Sequence, residues 1–166
     1  MTETRAPVLV LGLGNLLLSD DAVGLRMLET LEAECSADPS IEFVDGGTQG
    51  IALAGYFANR SSVLVLDAVG LGAAPGTVHV LRGDAIAGMR AKRGTTSHEG
   101  NGLGVIEIAR LLGNLPENLA VVGVEGANIR TGIGLSEEVK GALGSALGEA
   151  RAVLREFVAE SARSMV

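Results

Sequence analysis

A chain of 166 residues is long enough for one domain with a buried core. At 47% hydrophobic, 20% charged and 2% aromatic, it excludes a disordered tail and leaves an aliphatic core without stacking platforms for single-stranded nucleic acid. A net charge of −7, with no basic group beyond Arg90, Lys92 and Arg93, excludes a phosphate-backbone binder.

Val8–Leu13 is a continuous apolar run, the pattern of a strand buried on both faces. The longer run 7–18 is broken by Gly12, Gly14 and Asn15 and followed by Asp20 and Asp21. It therefore reads neither as a secretion signal nor as a membrane span, which needs about 20 apolar residues. A helix is expected over 22–37, with Val23, Met27, Leu28 and Leu31 on one face and Pro39 preventing continuation. Cys35, near its end, is the only cysteine, so no intrachain disulfide can form, which fits a reducing cytoplasm.

A second strand is expected over 41–44, a helix over 51–59 and a third, fully apolar strand over 63–66. Pro75-Gly76 makes a turn into a fourth strand over 77–81, placed at a sheet edge. Residues 83–101 hold a short helix at most and then a polar loop. A helix follows over 103–112, ended by Gly113, then a fifth strand over 119–124 and a Gly-rich loop over 126–134. Ser136 is a suitable N-cap for a last helix to 162, with Glu137 and Glu138 at its positive end. The alternation predicts one domain over 1–166, an α/β three-layer sandwich with a mainly parallel five-stranded sheet and helices on both faces.

The first three predicted strands each lead into acid: strand 1 to Asp20 and Asp21, strand 2 to Asp45, strand 3 to Asp67. Open α/β sheets bind ligands outside the carboxyl ends of their strands. Carboxylates gathered there repel one another unless a cation or a shared proton intervenes. His98, in the loop Thr95-Thr96-Ser97-His98-Glu99-Gly100, has no local structural reason to be there. Two carboxylates and an imidazole suit Ni, Zn, Mn or Fe, with coordination positions left open. Each residue also has a plainer role. Asp20 or Asp21 would cap the first helix, and Asp45 before Gly46-Gly47-Thr48 would shape a turn. A lone loop histidine is usually a surface residue, and His79, mid-strand, reads as structural.

Gly12-x-Gly14 after a strand is half of a dinucleotide fingerprint, but the third glycine position holds Leu17. Asp20 and Asp21 would also repel a pyrophosphate at the helix N-terminus, so no nucleotide cofactor is expected. There is no Walker A pattern and no Gly-x-Ser-x-Gly elbow. Gly12-Leu13-Gly14-Asn15 resembles the opening of bacterial peptidyl-tRNA hydrolase, yet the histidine of that pattern is missing and the chain is acidic.

The longer run Gly12-Leu13-Gly14-Asn15-Leu16-Leu17-Leu18-Ser19-Asp20-Asp21-Ala22-Val23-Gly24 resembles the opening motif of the hydrogenase maturation proteases. Asp45-Gly46-Gly47-Thr48, Val65-Leu66-Asp67-Ala68 and Ser97-His98 with Gly102-Leu103 resemble the later motifs in the same order. So do Val122-Gly123-Val124 and Ile133-Gly134-Leu135-Ser136. The resemblance implies a phosphorylase/hydrolase-like fold. It also implies an endopeptidase that clips the C-terminal extension of a nickel-iron hydrogenase large-subunit precursor after nickel insertion. By matching position it makes Asp21, Asp67 and His98 the metal contacts, with nickel carried by the precursor. Glu99, beside His98, departs from the pattern and is a further possible ligand. Asp45, or Asp20, is then a candidate general base for water attack. The expected enzyme is a cytoplasmic monomer whose partner is the precursor, not nucleic acid or membrane. The rival reading is a nickel-binding hydrogenase assembly chaperone that cleaves nothing.

Overall fold

The computed structural model describes residues 4–87, 102–127 and 130–166. Strands β1 (Val8–Leu13), β2 (Ile41–Gly47), β3 (Ser62–Val69), β4 (Val78–Arg82) and β5 (Asn118–Glu125) form one sheet in the order β2-β1-β3-β5-β4. β1 pairs in parallel with β2 and β3, and β3 with β5. β4 runs antiparallel along β5 and closes the edge. The uninterrupted apolar runs are explained by position. Every residue of β1 and β3 is buried, whereas edge strand β4 is partly exposed throughout.

Helices cover both faces. α1 (Val23–Cys35) and α3 (Glu137–Ser164) lie on one, where Met27, Leu31, Val153 and Phe157 pack on Val10, Leu64, Leu66 and Val122. The 3-10 helix Gly50–Phe57 and α2 (Gly102–Leu111) lie on the other. There Leu53, Phe57, Val105 and Ile106 pack on Leu9, Leu11, Val63, Val65 and Val121. The strand period of two divides odd from even residues between these cores. Ser136 caps α3 by accepting from Val139 N at 3.4 Å.

Three expectations shift. The helix expected over 51–59 is a 3-10 helix, since Gly50 (φ 60°) and Gly55 weaken a regular α-helix there. β2 and β3 each run three residues beyond their predicted ends at 44 and 66, because parallel neighbours carry the ladder through polar residues. The first helix is shorter than 22–37, with a separate 3-10 turn at Ser19–Ala22 before it.

At the amino ends of the strands, Arg60 is only 6% exposed. It donates to Tyr56 O at 2.9 Å and Ala6 O at 2.7 Å, and pairs with Glu42 at 2.5 Å. No described helix is long and apolar enough to cross a membrane.

Candidate functional site

From β1 the chain crosses one face to β2, then returns over the other face to β3 on the far side of β1. The β1/β3 boundary is therefore the switch point, and a crevice opens beyond the carboxyl ends of these strands. Asp21 follows β1 and Asp67 ends the apolar run of β3, so the sheet order brings both to this rim. The Ser19–Ala22 turn packs directly on β3.

The glycines of the first motif make this approach possible. A Cβ on Gly24 would lie 2.4 Å from Leu66 O and 2.5 Å from Leu13 O, so only glycine lets α1 begin on top of β1 and β3. A Cβ on Gly14 (φ +134°) would lie 2.0 Å from Asp21 O. These contacts fit close packing of chain on chain; no nucleotide is needed to explain the Gly-x-Gly.

Asp21 accepts from Asn15 N at 2.8 Å, through Oδ2. Asp67, 6% exposed, accepts from Gly102 N at 2.9 Å, also through Oδ2. Each carboxylate thus sits near a helix N-terminus, Asp21 before α1 and Asp67 at α2, where partial positive charge favours the anion. A backbone N–H fixes each orientation, the kind of outer support that metal-binding carboxylates have. Asp67 shares its face with α2, whereas Asp21 approaches from the α1 side.

Asp20 has a different surrounding. It is fully buried and accepts from Ala127 N at 2.9 Å, Ser136 N at 2.7 Å and Ser136 Oγ at 2.8 Å. Its carboxylate locks the loop before α3 onto the turn after β1. Neither Asp20 nor Asp21 caps α1 with its side chain. Asp45 is exposed, and Oδ1 accepts from Gly47 N at 3.0 Å, an Asx turn. It pairs with Gly12, whose own Cβ position faces Leu28 of α1, so Asp45 leaves the sheet on the face opposite Asp67. His98 and Glu99 lie outside the described residues. Among the described residues no three His, Cys, Asp or Glu side chains gather as a metal cluster.

One pair escaped sequence reasoning. Glu125, at the carboxyl end of β5, is 4% exposed and faces His79 Nε2 at 3.0 Å. Its other oxygen accepts from Leu71 N at 2.7 Å and Gly72 N at 2.9 Å, pinning the loop after β3. Register explains the contact, since His79 stands opposite Gly123 on β5 and Glu125 follows two residues later on the same face.

The family model for hydrogenase maturation proteases matches residues 25–153. The chain belongs to the hydrogenase maturation protease family. The Escherichia coli hydrogenase 2 maturation protease is 36% identical over 155 residues, covering 93% of this chain and 94% of the relative. A hydrogenase expression/formation protein of Azotobacter chroococcum is 35% identical, over 94% of this chain and 75% of its own. The solved hydrogenase maturating endopeptidase HybD from E. coli shares the fold at a TM-score of 0.77 and 37% identity, covering 90% and 92% of the two chains. A protease of Thermococcus kodakarensis, 24% identical, shares the fold at 0.68, over 88% of this chain and 97% of its own. This protease is accordingly a hydrolase, an endopeptidase of hydrogenase maturation. The match takes in Asp45, Asp67 and His98, and begins just after Asp21.

Proposed function

We propose that the protease removes the C-terminal extension of a nickel-iron hydrogenase large-subunit precursor after nickel has been inserted. Asp21, Asp67 and His98 contact the nickel that the precursor carries. The observation that supports this most is the placement of Asp21 and Asp67 on either side of the β1/β3 switch point, each oriented by one backbone N–H. Hard carboxylate oxygens and an imidazole nitrogen suit a borderline divalent ion. Nickel is here a feature of the substrate, and reading it positions the precursor so that only a loaded chain presents its scissile bond.

Cleavage itself needs water added to a peptide carbonyl and a base to take its proton. Asp45 is our candidate base, exposed at the end of β2 and held by Gly47 N. The protease works in the cytoplasm, in keeping with its single cysteine, and acts as a monomer on its precursor.

The test separates binding from chemistry. Asp21→Asn and Asp67→Asn should weaken capture of nickel-loaded precursor and abolish its cleavage, with capture of nickel-free precursor unchanged. Asp45→Asn should bind normally and cleave about 100-fold more slowly. Wild-type cleavage by Asp45→Asn removes it as the base, and wild-type cleavage by the other two removes nickel sensing.

A further inference from the structure

Leu16, Leu17 and Ile133 are 45%, 60% and 83% exposed, on two loops that are bound to each other beside Asp21. Leu16 and Leu17 are the corner residues of a turn closed by Leu18 N to Asn15 O at 3.1 Å. Asn15 Oδ1 braces the turn by accepting from Leu17 N at 2.9 Å, while Asn15 N donates to Asp21. The corner that presents the leucines is thus tied directly to a proposed nickel contact.

The second loop is fastened to the first on both sides of Gly132. Gly132 N donates to Leu17 O at 2.8 Å, and Ser19 N donates to Gly132 O at 2.9 Å. Ser19 holds a left-handed φ of 48° and its Oγ donates to Arg130 O at 3.1 Å. Behind both loops stands the buried Asp20 carboxylate with its three donors. A non-glycine residue keeps such a backbone only where its surroundings enforce it. The fold therefore spends a strained residue and a buried charge on holding two loops whose apolar side chains point into water. Among the described residues, Leu17 and Ile133 leave most of their apolar surface uncovered. An apolar partner would cover it.

We propose that Leu16, Leu17 and Ile133 form a docking ledge for an apolar segment of the hydrogenase precursor flanking the scissile bond. The inference rests on the proposed function. The occupant follows from continuity: the ledge shares Asn15 with Asp21, so whatever brings its metal to Asp21 lies along the ledge. Leu111, Leu112 and Leu115 are also exposed, but they lie where α2 leads into β5, at the amino ends of the strands. They serve as the control surface.

The experiment compares Leu17→Ser/Ile133→Ser with Leu111→Ser/Leu112→Ser in steady-state cleavage of nickel-loaded precursor. All four positions are exposed, so both variants should fold. The ledge variant should raise KM about tenfold or more, with kcat within about twofold, on the burial of two apolar side chains. The control variant should match the wild type. A photo-crosslinking residue at position 17 should join the protease to the precursor. Cleavage by the wild type with an unchanged KM for the ledge variant overturns the ledge alone. Crosslinking to the precursor without cleavage by the wild type keeps the ledge and overturns the proposed function. Crosslinking only to a second copy of the protease makes the face a self-interface and overturns the proposal, and a wild type that neither cleaves nor crosslinks overturns both.

Discussion

Asp20 and Asp21 are adjacent and chemically identical, and the fold uses them differently. Asp20 is buried with three donors from 107 and 116 residues away, whereas Asp21 is partly exposed and bound to Asn15 nearby. Asp20→Ala should therefore cost about 3 kcal/mol in urea denaturation, since it strands buried donors. The same change at Asp21 should cost about 1 kcal/mol or less while abolishing cleavage. Equal destabilisation by both would contradict the division of labour. The pair of acids was legible in the sequence, but their separate roles were not, because partners so distant leave no local signal. Asp45 is the converse case, since Asp-Gly-Gly already reads as turn chemistry and the Asx turn is present. Cys35 offers a check of its own. Burial pushes its thiol up, and the charges of Glu34 and Asp38 push it further. With less thiolate near neutral pH, it should react with a disulfide reagent about tenfold more slowly in the folded protein than in urea.

At the scale of elements, α1 depends on Gly24. A Cβ there would meet two carbonyl oxygens of the sheet, and backbone cannot yield as a side chain can. Gly24→Ala should destabilise the protein by about 2 kcal/mol or more and lower cleavage, as seen in thermal melts and precursor assays. An unaffected Gly24→Ala protein would mean that α1 is not held on the strand ends. α3 is fastened to edge strand β4 by Arg82 and Glu156 through two hydrogen bonds of 2.7 and 2.9 Å. The Arg82 guanidinium holds the Glu156 carboxyl below the usual glutamate range. A lowered folded-state value contributes stability above the unfolded value, and this is lost as pH falls through the folded one. Both partners are well exposed, so Glu156→Gln should cost only about 0.5 kcal/mol at pH 7. That cost should vanish well below the ordinary glutamate range. Strand positions were legible because buried parallel strands write themselves as apolar runs. Their true ends were not, because pairing with β5 carries β3 on through Asp67, a poor strand former, after the ladder with β1 has stopped at Leu66.

For the whole molecule, alternation of strand and helix was enough to anticipate a mainly parallel sheet covered on both faces. Strand order was not readable from any segment, yet it decides the site: only with β1 between β2 and β3 does a switch point fall between Asp21 and Asp67. The glycines at 12 and 14 look like half of a dinucleotide motif in sequence, and in three dimensions they act with Gly24 to bring α1 and Asp21 down onto that point. The central claim is that this rim reads nickel in a precursor before a peptide is released. The most direct measurement is intact mass spectrometry of the cognate large-subunit precursor, incubated with the protease in nickel-loaded and nickel-free forms. The account predicts loss of a C-terminal peptide from the loaded form only. Equal cleavage of both forms would contradict nickel sensing, and an unchanged mass despite demonstrated binding would contradict cleavage of this substrate.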